Sequence, residues 1–273
     1  MSQIFGIKYD ENNKYHRFAR ASVITVISLV FFILVWWVAS IVTKTPAIPT
    51  PLQTWNALVD LYLHGDRANN NTSLGTYIIL SLSKFIKGFV LALAVSVPVG
   101  LILGYSKILR DFTSPIIEIL RPIAPIAWAP ILILSPLGYV NGPIVVVFIG
   151  IFFPLLTNVM FGVKKVDPNW IDAAKTLGAS QLQIFYKVML PSAIPYIMNG
   201  IKVGLGIGWM CIVAAELYGY GGGIGFYIAN TASGGYWPGA YAGLVVMALL
   251  GLLTVGVADY VHRVLSKRMG MDV

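Results

Sequence analysis

The chain has 273 residues, of which 57% are hydrophobic and only 11% are charged, and its mean hydropathy is +0.78. About a quarter of the residues of a soluble globular domain are charged, so this composition excludes an ordinary soluble domain and indicates a membrane protein. The formal net charge of +8 does not indicate nucleic-acid binding, because the Lys and Arg residues lie at the ends of apolar segments, where a cytoplasmic membrane surface favours them. The one cysteine, Cys211, excludes an internal disulfide framework and a four-cysteine zinc site.

The first half of the chain predicts two membrane-spanning helices. Residues 1–20 carry charges of both signs and are predicted as a cytoplasmic N-terminal segment, ahead of a first span at Ala21–Thr43. The segment Lys44–Thr76 is rich in proline and charge and predicts an extracytoplasmic loop with a short interfacial helix around Trp55–Leu63. The second span is predicted at Tyr77–Gly104, with its hydrocarbon part beginning after Lys84 and Lys87.

Four further spans are predicted in the second half. The uncharged stretch between Arg121 and Lys164 is about twice the length of one span, and its Gly-Tyr-Val-Asn-Gly-Pro cluster at 138–143 predicts a turn. The four apolar segments are Pro122–Leu137, Pro143–Val163, Ala193–Leu217 and Trp237–Ala258, and the last two are separated by the glycine-rich stretch Gly219–Gly235. The predicted fold is therefore an all-α polytopic membrane domain over residues 21–273, with about six spans.

The basic residues predict the orientation of these spans. With the N-terminus in the cytoplasm, fourteen of the nineteen Lys and Arg residues fall on the cytoplasmic side, and Lys202 lies within a span. The outside keeps Lys44, Arg67, Lys84 and Lys87. Because short cytoplasmic loops are enriched in Lys and Arg, both termini are predicted to be cytoplasmic.

The polar segment 164–191 carries clear helix-boundary signals. Asp167 suits the N-cap of a short helix, Pro168 suits its first position, and Gly178 suits the left-handed residue after its last turn. Ser180 then has capping-box spacing, which predicts a second short helix that ends where Pro191 forces a break. The first helix is only about 15 Å long and cannot cross the bilayer. It lies across the cytoplasmic face, either as an interfacial cap on the bundle or as a docking element for a partner.

The spacing in this segment resembles a signature of permeases of ATP-binding-cassette importers. That signature reads E-A-A, three residues, Gly, nine residues, Ile, one residue, Leu-Pro, and here Asp172-Ala173-Ala174, Gly178, Val188 and Leu190-Pro191 keep the spacing, with Asp for Glu and Val for Ile. Further motifs are similar to those of the subgroup that transports nitrate, sulfonates, taurine and bicarbonate. They are Ser81-Leu82-Ser83-Lys84, Leu120–Pro130, Trp209, Ala214-Ala215-Glu216 and Gly223-Ile224-Gly225.

The resemblance implies a division of labour between subunits. The segment Asp167–Gly178 would be the coupling helix that seats in a groove of a separate ATPase, which binds ATP and Mg, while this chain carries no cofactor and is not an enzyme. The implied partners are a second permease copy, two ATPase subunits and an extracytoplasmic binding protein, in a prokaryotic inner membrane, with alternating access between two packings of the bundle. The residues implied in ATPase coupling are Asp167, Asp172, Ala173, Ala174, Gly178, Leu190 and Pro191.

The candidates for the pathway or gate are Lys202, Trp209, Glu216, Gly223 and Gly225. A charge at membrane depth is a functional-site hypothesis, but Lys202 can equally extend to the cytoplasmic interface. Glu216, at the outer end of its span, can shape a gate or dock the binding protein, and the glycine-rich stretch is either an outer gate or a flexible connector.

Two other classes of protein fit the sequence less well. A self-sufficient secondary transporter would show two comparable halves, and no internal repeat is visible in the sequence. An intramembrane enzyme would need a catalytic constellation, but the three histidines lie outside the predicted spans without metal-ligand spacing, and no phosphate-binding loop is present. The resemblance implies a small anion as substrate, and Ile228-Ala229-Asn230-Thr231, which replaces a pattern of nitrate-type relatives, favours a sulfonate or taurine.

Overall fold

The computed structural model describes residues 2–4, 7–9, 14–218 and 221–268. In these residues the chain forms one short antiparallel hairpin and is otherwise helical, which confirms the predicted all-α membrane fold. The elements are β1 (Ser2–Ile4), β2 (Ile7–Tyr9), α1 (Lys14–Thr43), α2 (Pro51–His64), α3 (Leu74–Tyr105), α4 (Lys107–Leu120), α5 (Pro125–Leu134), α6 (Gly138–Lys164), α7 (Pro168–Thr176), α8 (Gln181–Ile184), a π-helical turn (Phe185–Met189), α9 (Leu190–Leu217), α10 (Ile224–Ser233) and α11 (Trp237–Arg268).

The described residues contain five helices that are long and apolar enough to span a membrane, and a sixth crossing follows from the packing. Helices α3 and α6 run in the same direction, because Gly88 packs beside Val147 and Gly104 beside Val163. The chain must therefore cross back between them, and α4 and α5, bent by 77° at their junction, are the segment that does so. The predicted number of about six spans is confirmed in this way.

The third span differs from its prediction. A continuous helix over Pro122–Leu137 is wrong, because α5 has only ten residues, about 15 Å, and needs α4 to complete the crossing. The turn predicted at residues 138–143 is also misplaced. It lies at Ser135–Leu137, where the Ser135 hydroxyl accepts a hydrogen bond from the Leu137 amide at 3.2 Å and the Ser135 carbonyl accepts one from Gly138 at 3.0 Å. The turn is therefore complete before Gly138, where α6 begins, and Pro143 lies inside that helix.

Glycines hold the central helices close together. A Cβ at Gly88 would lie 2.7 Å from the carbonyl oxygen of Ile144, and one at Gly100 would lie 2.7 Å from the Cβ of Val159. On α9, Gly200 and Gly204 approach α6 in the same way. Small residues are the usual means of close helix packing in membranes, where lipid gives no hydrophobic driving force between helices.

The two ends of the bundle can be told apart by contacts. The ends of α3 and α6 lie with α7 and α8, and the Tyr105 hydroxyl donates to Gln181 Oε1 at 3.2 Å. At the other end, Trp36 near the end of α1 stacks on Tyr241 near the start of α11, with ring centroids 5.7 Å apart. The opposite ends of α1 and α11, at Lys14 and Arg268, therefore lie on the α7 side.

Candidate functional site

The helix α7 has the boundaries that its sequence predicts. Asp167 Oδ1 accepts a hydrogen bond from the Asn169 amide at 2.9 Å, and Pro168 is the first helical residue. After the last turn, Gly178 adopts φ +79°, which lets the Ala179 amide reach the Ala174 carbonyl at 3.0 Å. Local capping alone therefore fixes where this helix begins and ends.

No residue of α7 is buried. Leu177 is 88% exposed and Trp170 is 59% exposed, and Asp172 forms an exposed ion pair with Lys175 at 3.0 Å. Neighbouring exposed apolar side chains rimmed by charge are typical of a surface that another protein covers. Of the two small residues, Ala173 is exposed on this surface, whereas Ala174 is half-buried and packs against the buried cluster that includes Val166.

The predicted helix break at Pro191 is wrong. The Ser180–Gln183 capping box is present, with the Gln183 side chain accepting from the Ser180 amide at 2.8 Å. From there α8 continues through the π-helical turn into α9 as one apolar helical segment, Gln181–Leu217. The missing amide of Pro191 falls at the junction of the π-helical turn and α9, where the hydrogen-bond pattern changes, and the helix continues.

At the other end of α9 lies a buried cluster around Glu216, whose side chain has no exposed surface. Glu216 Oε1 accepts from Lys84 Nζ at 3.1 Å, and Oε2 accepts from the Ser81 hydroxyl at 2.7 Å and the Gly225 amide at 2.9 Å. The Ser81 oxygen in turn accepts from the Ile224 amide at 2.8 Å. We call these residues, Ser81, Lys84, Glu216 and the turn 221–225, the latch.

Every donor of the Lys84 ammonium is used in the latch. Besides Glu216, it donates to the carbonyl of Gly221 at 3.1 Å and to the carbonyl of Gly222. A buried charge is stable only when it is paired and its remaining hydrogen bonds are made. The latch meets both conditions and joins α3, α9 and the start of α10.

Two sequence interpretations are corrected by the latch. Lys84 was assigned to the outer boundary of the second span, but its side chain is only 7% exposed and points into the bundle. A sequence signal existed, since Tyr77, Ser81 and Lys84 recur at helical spacing on one face of α3. The other correction concerns Glu216: a side chain without exposed surface does not touch a docking protein directly.

The glycine-rich stretch is not a flexible connector over its whole length. Residues 219 and 220 lie outside the described part, but α10 occupies Ile224–Ser233 and buries Tyr227 and Ile228. Gly223 adopts φ +115°, and a Cβ there would overlap the Glu216 carboxylate. At Gly225 a Cβ would lie 2.6 Å from the Cβ of Glu216. At both candidate positions, any residue larger than glycine would therefore collide with Glu216.

We expect Gly223→Ala to destabilise the protein by about 2 kcal/mol more than Gly235→Ala, since overpacking adds to backbone strain. Gly235 is the matched control, because it also has positive φ, at +75°, but a Cβ there meets nothing within 4 Å. The measurement is thermal unfolding of each purified variant in detergent. Equal losses for the two variants would show that contact with Glu216 does not restrict residue 223.

The remaining two candidates lie on the α9–α11 contact. Trp209 stacks on Phe85 with centroids 4.5 Å apart, and its indole nitrogen donates to the Thr254 hydroxyl at 2.7 Å. Lys202 pairs with Asp259 at 2.6 Å, and both side chains are about one third exposed. The structure thus separates Lys202 from the latch and gives it a partner that the sequence did not indicate. Within the described residues, no group of three His, Cys, Asp or Glu side chains is placed to hold a metal ion.

Comparison with known proteins decides the family. Residues 96–271 match the family described as the binding-protein-dependent transport system inner membrane component. The chain belongs to this family. It is the membrane-spanning permease subunit of an ATP-driven importer, and ATP hydrolysis resides on a separate subunit.

Three named relatives share about one third of their residues with the permease over most of its length. It is 37% identical over 224 residues to an ABC transporter permease of Methanocaldococcus jannaschii, covering 81% of this chain and 82% of the relative. It is 31% identical to the taurine transport system permease protein TauC of Escherichia coli, covering 86% of each chain. It is 32% identical to the nitrate import permease protein NrtB of Synechocystis, covering 76% of each.

Solved structures agree with this fold. The permease superposes on a chain of the methionine ABC transporter MetNI in an inward-facing conformation with a TM-score of 0.61, at 21% identity, covering 70% of this chain and 95% of that one. An amino acid ABC transporter gives a TM-score of 0.54 at 16% identity, covering 71% and 92%. At these identities the likeness concerns the fold alone.

Proposed function

We propose that this permease imports a small oxyanion, of the sulfonate class that includes taurine, delivered by an extracytoplasmic binding protein. It works as a homodimer in a prokaryotic inner membrane, with one ATPase subunit bound to the cytoplasmic side of each copy. The α7 end of the bundle, and with it both termini, faces the cytoplasm. Fourteen basic residues fall on that side in this orientation.

The observation that carries the proposal is the exposed helix α7. It has caps at both ends, no buried residue, and the signature residues Asp172, Ala173, Ala174 and Gly178 at their expected spacing. Behind it, Leu190 and Pro191 begin the helix that runs to Glu216. A rigid surface helix joined to a long span can transmit movement of an ATPase into the membrane.

The choice of substrate rests on sequence. Relatives named for nitrate and for taurine cover most of this chain. The segment Ile228-Ala229-Asn230-Thr231, which differs from the nitrate-type pattern, lies in α10 just beyond the latch, and its Ile228 and Thr231 are buried. We favour the sulfonate class over nitrate and bicarbonate for that reason. A self-sufficient secondary transporter is not favoured, because the family works with an ATPase.

The test is ATP hydrolysis by the permease reconstituted in liposomes with its ATPase and binding protein. Taurine, an alkanesulfonate, nitrate and bicarbonate are added one at a time at matched ionic strength. We expect stimulation by taurine or the alkanesulfonate and none by bicarbonate. Stimulation by nitrate alone would contradict the substrate class, and hydrolysis that no anion changes would contradict the proposal as a whole.

A further inference from the structure

A cavity opens at the end of the bundle opposite α7, between α2, the loop after it and α10. Its volume is about 390 Å³, and its polar lining includes Asp60, Asp66, Arg67, Asn230 and Tyr236. In the orientation proposed above, this cavity faces the extracytoplasmic side, where the binding protein arrives.

Asp66 is a buried acid on the wall of this cavity. Its residue is 6% exposed, and its carboxylate accepts hydrogen bonds from the Tyr77 hydroxyl at 2.7 Å and the Ala68 amide at 3.1 Å. Over the described ranges, no Lys, Arg or His nitrogen forms an ion pair with it. Buried charges are usually paired. Asp66 departs from this pattern, because it has hydrogen bonds but lacks a counter-charge.

The other charges of the cavity do not neutralise Asp66. Arg67 forms its ion pair with Asp60 at 2.9 Å, and His64 also contacts Asp60, at 2.8 Å. Burial and the nearby Asp60 carboxylate raise the pKa of Tyr236, so its phenol is neutral at pH 7. The cavity therefore combines one excess negative charge with the tyrosine ring and the Asn230 amide. These groups suit an ammonium or a guanidinium.

The cavity is connected to the latch. Tyr77, which donates to Asp66, lies on the same face of α3 as Ser81 and Lys84, and its ring packs against Tyr227 of α10 with centroids 5.4 Å apart. The helix α10 begins at Ile224, directly after the N-cap Gly223, within the turn that Glu216 and Lys84 hold. An occupant of the cavity therefore contacts the helix whose start the latch fixes.

We propose that this cavity receives a Lys or Arg side chain of the extracytoplasmic binding protein, with Asp66 as its counter-charge. The proposal rests on the proposed function, because the orientation and the partner come from it. Asp66 then has an ion-pair partner only in the docked complex. Until docking, Arg67 forms its ion pair with Asp60 and competes with the incoming cation for that carboxylate.

The test measures the affinity of the importer's binding protein for the permease–ATPase complex in nanodiscs at low ionic strength. We expect Asp66→Asn to raise Kd about tenfold and Asp60→Asn to raise it less. Arg67→Gln should lower Kd about threefold, because it frees Asp60 for the incoming cation. Asp111→Asn, an exposed acid of α4 near the α7 end, is the control and should leave Kd unchanged.

Asp60→Asn should raise Kd and Arg67→Gln should lower it, so the test is decisive even if Asp66→Asn fails to fold. Unchanged Kd for Asp60→Asn and Arg67→Gln would overturn the proposal. Unchanged docking with loss of stimulation by taurine, but not by an alkanesulfonate without an amine, would also overturn it and assign the cavity to a substrate ammonium. If docking follows the expected pattern while no anion stimulates ATP hydrolysis, the substrate assignment fails and the cavity assignment stands.

Discussion

Lys84→Met should destabilise the permease by about 3–5 kcal/mol, because it leaves the Glu216 carboxylate buried without a cation. Lys87→Met is the matched control, since Lys87 lies one turn further along α3 and is exposed. The double variant Lys84→Met with Glu216→Gln removes both charges and should regain a large part of the loss.

The chain carries a convenient reporter for this measurement. Cys211 is its single cysteine and is buried, so a thiol-reactive fluorophore reports unfolding during a thermal ramp in detergent. Lys84→Met should label at a clearly lower temperature than the parent, and Lys87→Met at the same temperature. If the two single variants melt alike, or if the double variant is no better than Lys84→Met alone, the ion pair does not stabilise the fold.

Gly178→Arg should abolish substrate-stimulated ATP hydrolysis while leaving the permease folded. Gly178 adopts φ +79° on the exposed α7 surface, and a Cβ there would meet no other atom within 4 Å. The added arginine therefore projects into the space where the ATPase would sit, and the backbone strain costs only about 1–2 kcal/mol.

Gly138→Arg separates docking from strain. Gly138 has φ +66° and equally open surroundings, but it begins α6 at the opposite end of the bundle. Hydrolysis by the reconstituted importer should respond to substrate in Gly138→Arg and not in Gly178→Arg. If both variants respond like the parent, α7 is an interfacial cap and not the coupling helix.

The sequence predicted the elements whose determinants are local. Asp167, Pro168 and Gly178 fix α7 through caps that involve neighbouring residues only, and apolar length fixes the spans α1, α3 and α11. The break at Pro191 was predicted wrongly because a π-helical turn, which depends on packing at the junction with α9, accommodates the proline. The third crossing was predicted as one continuous helix because apolar length does not reveal the 77° bend between α4 and α5.

The latch could not be assembled from the sequence. Lys84 and Glu216 are 132 residues apart, and each had a sufficient local explanation, one as a boundary residue and the other as an outer-end acid. The one available sign was the polar face formed by Tyr77, Ser81 and Lys84 on an otherwise apolar helix. Such a face indicates a buried polar contact but not which acid completes it.

The separation of Lys84 from Glu216 also constrains how the chain is made. Helix α3 is synthesised with a lysine that has no carboxylate partner until α9 emerges, and a lysine in a span opposes membrane insertion, by at most about 2.5–3.5 kcal/mol at the helix centre. During that interval the ammonium has to remain hydrated, which its place near the outer end of α3 allows. Four crossings precede α9, and of these α3 therefore cannot reach its final packing before α9 arrives, so assembly in the bilayer finishes from the C-terminal half.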